Sequence, residues 1–179
     1  MNIFAVDADS GNSANMLCLA HVCKMIVESA QMLSTGYDPA VTIGIPYPNW
    51  TVAQFNHPCC VWVRESSANW EWLWNHGNTL AVRYARVYGK THKCASMYTW
   101  FSNNMNNLIP ILRMSGRLTA KPRCMPARYS RHTNIYVAYR QYYIDEKAYF
   151  AKWESLAAIP AWWPYRTNAF VRNHARNRN

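Results

Sequence analysis

The sequence predicts a mainly α-helical fold: a single compact domain of three to four helices with long loops over residues 1–165, followed by a basic, flexible tail over 166–179. Apolar residues recur at helical spacing in long stretches, and clusters of Gly, Pro and Asn separate those stretches. A length of 179 residues matches one domain, and a composition that is 50% hydrophobic and 15% aromatic supplies a sizeable core. Nine Trp and twelve Tyr exclude a coiled coil or a linker, and the same apolar content excludes wholesale disorder.

Residues 2–6, NIFAV, form a short apolar start, either a strand or an extended segment. Ser10 or Asn12 can cap a helix that runs to residue 34 and is ended by Gly36. Ala14, Leu17, Cys18, Val22, Met25, Ile26, Ser29, Met32 and Leu33 fall on one face of it, which packs inward. Residues 36–56, with Asp38-Pro39, Gly44, Pro46 and Pro48, have loop chemistry. A second helix starts at the His57-Pro58 step, where a proline costs no helical donor, and runs over 59–88 to close at Gly89. A third covers about 93–113, residues 114–133 form a basic loop, and a last helix covers 134–153. Residues 157–163 are a Pro-bounded apolar segment.

Nineteen Lys and Arg against nine Asp and Glu give a net charge of +10, unevenly placed. Asp7, Asp9, Glu28, Asp38, Glu65 and Glu71 outnumber Lys24 and Arg64 in the first part of the chain. From Trp72 to Ile144 there is no acidic residue, while Arg83, Arg86, Lys90, Lys93, Arg113, Arg117, Lys121, Arg123, Arg128, Arg131 and Arg140 are all basic. The tail adds Arg166, Arg172, Arg176 and Arg178. Such a stretch repels itself unless a polyanion neutralises it, so nucleic acid is the expected partner. A preference for Arg over Lys suits planar phosphate and base contacts. No apolar run is long enough to span a membrane. The first residues lack the basic and apolar regions of a secretory signal, so the six cysteines are expected as reduced thiols in a cytoplasm.

Spacings that carry familiar chemistry are absent. Cys18 and Cys23, the Cys59-Cys60 pair, and His92 with Cys94 match no paired metal-ligand pattern, so neither a metal nor a cofactor is expected. Phosphate-cradling and nucleophile-elbow glycine motifs do not occur. Three polar stripes remain. His21, Lys24, Glu28 and Gln31 align on the first helix, where a carboxylate beside Lys and His can act in acid–base chemistry; an ordinary solvated Lys–Glu face would look similar. His57, Arg64, Glu65 and Asn69 supply anion-binding groups on the second, although His57 can equally serve as a helix cap. Arg140, Tyr143 and Lys147 align on the last helix, where tyrosines interleaved with Arg hold unstacked bases or simply build core.

Three blocks of sequence resemble a small protein family carried by tailed bacteriophages. They are NIFAVDADSGNSANMLCLAHVCKMIVESAQMLST, then NHPCCVWVRESSANWEWLWNH with YGKTH, then MPARY with AYRQYYIDEKAYFAKW. From first to last residue the three blocks span 2–35, 56–92 and 125–153, about 100 of 179 residues. A looser resemblance links the pattern to proteins identified as pyrimidine dimer DNA glycosylases similar to endonuclease V. The resemblance implies a helical DNA-repair enzyme in the cytoplasm of an infected host cell, acting on duplex DNA. In that chemistry an amine attacks the sugar C1′ and a nearby Glu stabilises the cationic sugar. Carried onto this sequence, Glu28 is the catalytic carboxylate, with His21 and Lys24 beside it. The amine belongs to Met1, because Asn2 is bulky enough to hinder methionine removal, or to Lys24 if burial makes it less basic. Gln31, His57, Arg64, Glu65, Asn69, Arg140, Tyr143 and Lys147 then bind substrate. Two other readings stay open: an enzyme modifying nucleotides or DNA bases on the same scaffold, and a non-catalytic nucleic-acid-binding or virion-associated protein.

Overall fold

The computed structural model describes residues 1–35, 54–111 and 116–165, in backbone only over 106–111. The predicted loop at 36–56 lies largely outside the described residues, as do Arg113 and the basic tail. The described chain is mainly helical and forms no sheet. Its helices are α1 (Ser10–Met16), α2 (Leu19–Thr35), α3 (Pro58–Glu65), α4 (Ser67–Tyr88), α5 (Ala95–Ile111) and α6 (Ile135–Lys147), with short 3-10 turns at Ala127–Tyr129 and Leu156–Ala158. Helix α4 is the hub, packing against α1, α2, α3 and α5. No described helix is long and apolar enough to cross a membrane.

Two long helices of the sequence reading are each interrupted, and long-range partners explain both breaks. Between α1 and α2 the chain turns extended at Leu17, with φ −70° and ψ 149°. The Cys18 amide donates to the Tyr143 hydroxyl at 2.9 Å, and the Leu19 amide to the Lys152 carbonyl at 2.8 Å. The Arg83 guanidinium is 2% exposed. It donates to the carbonyls of Ala14, Asn15 and Leu17 at 3.2, 3.0 and 2.7 Å, and pairs with Glu154 at 2.7 Å. These groups replace the helical bonds that the break removes. The cap of α1 is the Asp9 carboxylate, bonded to the Asn12 amide at 2.7 Å, rather than Ser10 or Asn12. The second break falls at Ser66, whose hydroxyl accepts from the Ala68 amide and donates to the Arg117 carbonyl. Helix α4 then closes at Gly89 in the left-handed region, φ +65°, as expected.

The apolar face read on the first helix is correct residue by residue: Ala14, Leu17, Cys18, Val22, Met25, Ile26, Ser29, Met32 and Leu33 are all fully buried. Helix α6 stops at Lys147, before residue 153, because the Phe150 and Ala151 amides both turn back onto the Lys147 carbonyl. That turn delivers the indole of Trp153 into the core, where it donates to the Met16 carbonyl at 3.1 Å. Helices α4 and α5 meet at Gly77, where the buried Tyr98 ring crosses the helix and its hydroxyl donates to the Ile26 carbonyl at 2.6 Å.

The amino-terminal segment is extended but is not a strand. Ile3, Ala5 and Val6 are completely buried, so their backbone groups need partners, and side chains supply several of them. The Asn2 Oδ1 accepts from the Ile3 and Phe4 amides at 2.8 and 2.9 Å. The Ser13 hydroxyl accepts from Val6 and donates to the Phe4 carbonyl. Arg140 Nε donates to the Val6 carbonyl at 2.7 Å. Phe4 sits at φ +39°, a conformation costing a non-glycine residue on the order of 1–3 kcal/mol, held by the Asn2 bond and by packing of its ring on His21 and Tyr142.

Two substitutions test this packing by chemical denaturation. Gly77→Ala destabilises by about 1–3 kcal/mol through overlap with Tyr98, although alanine is the better helix former by about 1 kcal/mol. Arg83→Met loses about 3–5 kcal/mol, because three buried carbonyls and the Glu154 pair lose their donor.

Candidate active site

The site builds on Asn2. Its backbone amide donates to Glu28 Oε2 at 3.0 Å, and its side-chain amide donates to the Cys124 carbonyl at 2.6 Å. Residue 1 is thereby fixed beside α2, α3 and the 122–125 segment. From the Asn2–Glu28 bond, covalent geometry keeps the Met1 α-amine within roughly 7 Å of the Glu28 carboxylate. The Met1 thioether meets the Cys60 sulfur at 3.6 Å. Glu28 is 14% exposed at its side chain, and its other oxygen pairs with Lys24 Nζ at 3.3 Å. Lys24 itself is 64% exposed, so it lacks the burial that would make it the nucleophile.

Helix α3 brings the remaining members. His57 caps it, with Nδ1 accepting from the Cys59 amide at 3.1 Å. The cap reading of His57 is therefore correct. Burial lowers the His57 pKa, the positive Met1 amine lowers it further, and Glu28 acts in the opposite sense. Neutral imidazole is the result at neutral pH. Arg64 lies one turn beyond Cys60 on the same helix, its guanidinium 3.6 Å above the Phe55 ring. Nη1 of Arg64 is buried and has no hydrogen-bond partner among the described residues. Gln31 is half-buried one turn beyond Glu28 on α2.

The other expected site residues are elsewhere. His21 is buried, stacked on Phe4 with ring centres 4.4 Å apart, and shares a 2.7 Å hydrogen bond with the Tyr143 hydroxyl. Burial pulls its pKa down to about 3, so it is a neutral core residue rather than a partner of Glu28. Tyr143 is fully buried and not presented to a base. Asn69 is also fully buried, bonded to the Trp62 carbonyl and to Thr119, and Thr119 donates in turn to Glu65. That pair anchors the 117–119 loop. Arg140 ties Val6 and Asp7, and Lys147 lies 4.8 Å from the Tyr142 ring. The three polar stripes thus do not converge; Met1, Lys24, Glu28 and His57 lie together, with Arg64 near Cys60 on the adjoining helix.

Sequence reading missed Asn2 and Cys124 here and set the Cys59-Cys60 pair aside as matching no metal-ligand pattern; Cys124 is 65 residues from Cys59 along the chain, beyond any local spacing. Their sulfurs approach to 3.4 Å. This contact drives the two thiols apart in acidity: Cys59 is raised by the contact and by burial, while Cys124 is lowered by it.

Lys121, in the acid-free stretch, is also buried, with its ammonium 4.4 Å from the Trp72 ring, and burial lowers its pKa to about 8. The stretch is not one solvated face. Arg83 is buried, and Arg86, Arg128 and Arg140 pair with Glu154, Glu146 and Asp7, whereas Lys90, Lys93, Arg117 and Arg131 are exposed. A separate aromatic pocket of about 280 Å³ is lined by residues including Tyr149, Trp153, Trp163 and Tyr165, with no carboxylate, amine or imidazole in its wall.

No protein-family model, no curated protein and no solved structure matches the chain.

His21 and His76 both sit buried with pKa values lowered by burial to about 3 from the ordinary 6.5. Unfolding lets both rings protonate, so stability is full above about pH 6.5 and is lost as pH falls toward 3, by up to about 1.4 kcal/mol per pH unit for each ring. His76 stacks on Trp72 and neither ring nitrogen finds a partner among the described residues. His76→Phe should therefore keep stability at pH 7 and roughly halve the acid slope, measured by denaturant midpoints across that pH range.

Proposed function

We propose that this chain is a DNA-acting enzyme of the glycosylase and abasic-site lyase type, in which the Met1 α-amine attacks the sugar C1′ of a damaged nucleotide and Glu28 assists. The observation that carries this reading is the Asn2 amide bond to Glu28, which holds the α-amine and a carboxylate together at one partly open place. An imine route needs that pairing. The amine forms the new C1′–N bond as the glycosidic bond breaks and the base departs. The carboxylate stabilises the positive charge that develops on the sugar. His57, kept neutral by burial and by the amine, is the nearby group able to take a proton from the attacking amine, at Nδ1 and in exchange for the bond from the Cys59 amide. The sugar ring then opens at C1′–O4′, O4′ taking a proton as the C1′–N bond becomes the imine; the imine acidifies C2′, and loss of that proton expels the 3′ phosphate. The exposed Lys90, Lys93, Arg117 and Arg131 offer sequence-independent contacts to the DNA backbone.

The test is borohydride trapping on abasic and UV-irradiated duplex DNA, with mass mapping of the adduct. The adduct should map to Met1, and Lys24→Ala should retain it. A one-residue amino-terminal extension or acetylation should remove it. Glu28→Gln keeps an acceptor for the Asn2 amide while losing the charge, and should lower trapping by about 100-fold or more with DNA binding little changed. Full trapping by Glu28→Gln, or salt-sensitive binding with no adduct in the unmodified chain, would overturn the lyase reading and leave base modification or simple nucleic-acid binding.

A further inference from the structure

We propose that His57, Cys59 and Cys124 form a binding site for a borderline-soft divalent metal ion of the zinc class, a site that shares His57 with the imine reading but does not rest on it. One ligand atom from each of the three lies within 4.8 Å of the others. The two sulfurs are 3.4 Å apart, close to the spacing of two thiolates sharing a tetrahedral ion, and neither is engaged in a disulfide. Nδ1 of His57 accepts from the Cys59 amide, so the neutral ring carries its proton on Nε2; ion binding exchanges this cap bond for a metal bond, at Nδ1 directly or at Nε2 once the proton moves to Nδ1. A set of two sulfurs and one imidazole nitrogen selects Zn²⁺ or Co²⁺ over Mg²⁺ and Ca²⁺, which require oxygen ligands.

The surroundings hold these donors in place before any ion arrives. Helix α3 fixes His57 and Cys59 two residues apart at its first turn. Cys124 is fastened on both sides of its peptide: Asn2 donates to its carbonyl at 2.6 Å, and the Tyr139 hydroxyl accepts from its amide at 3.3 Å. Cys59 is buried, whereas His57 and Cys124 are half-buried, so an ion has a way in. On binding, the thiols of Cys59 and Cys124 lose their protons to solvent, and two thiolates with one neutral imidazole cancel the charge of the dication. The fourth tetrahedral position falls to water or to the Met1 α-amine, which is close enough to act electrostatically on all three residues.

The full chain, purified in a non-thiol reductant and stripped with a chelator, is titrated with Co²⁺. The expected result is the intense visible spectrum of tetrahedral cobalt with a sulfur-to-cobalt charge-transfer band, saturating at about one ion per chain and displaced by Zn²⁺. His57→Asn preserves a helix cap and should lose the tetrahedral spectrum. Cys124→Ser, on a loop, should lose the charge-transfer intensity, and Cys23→Ser, away from the cluster, should keep it. Circular dichroism of each variant checks that helicity is unchanged. A weak octahedral spectrum in the reduced protein, a spectrum that survives Cys124→Ser in a folded chain, or a Cys59–Cys124 disulfide that forms in place of metal uptake under the reductant would each overturn the site. DNA trapping plays no part in these readouts, so the metal site and the imine reaction fail or stand separately.

Discussion

A buried extended segment without a strand partner is the constraint on which the rest of the structure depends. Residues 2–6 run through the core, and each buried amide or carbonyl there must be matched or cost on the order of 1–3 kcal/mol. Asn2 answers most of that demand alone. Its Oδ1 serves two amides, its Nδ2 reaches the 122–125 segment, and its own amide reaches α2. Ser13 and Arg140 serve Phe4 and Val6, and just beyond the segment Trp72 donates to the Ala8 carbonyl at 2.8 Å. Helices α1, α2, α4 and α6 are therefore registered against one strip of backbone.

The same economy governs the helix breaks. A guanidinium has five donors in a rigid fork, and Arg83 uses them to collect three carbonyls at the end of α1 together with the carboxylate of Glu154. Breaking a helix in the interior is tolerable only where such a donor set exists. Basic residues that look from composition like a phosphate-binding surface thus divide between structural work in the core and exposure to solvent.

Electrostatics at the amino terminus follow from fixing the first residue. A free amine at the edge of the core brings a positive charge against His57 and the Cys59–Cys124 pair, while Glu28 and Lys24 balance each other at the rim. Amine, carboxylate, imidazole and thiols converge there because the second residue, not the first, makes the anchoring bonds. The first residue is left with its reactive groups at the edge.

Sequence alone determined the helical class, the inward face of the first long helix, the caps at His57 and Gly89, and the pairing of Lys24 with Glu28. All of these depend on neighbours within a turn or two, where periodicity and capping chemistry act. It also singled out Met1 and Glu28 as a possible pair, through resemblance rather than spacing. Tertiary structure alone decided where helices break, since Arg83, Tyr143 and Lys152 lie far along the chain from the carbonyls and amides that they satisfy. Burial likewise moved His21, Asn69 and Tyr143 into the core, because a polar residue on a helix face reads the same whether it meets water or a buried partner. Cys124 joined His57 and Cys59 for the same reason: a contact between segments 65 residues apart is set by packing of the whole domain, and no local pattern encodes it.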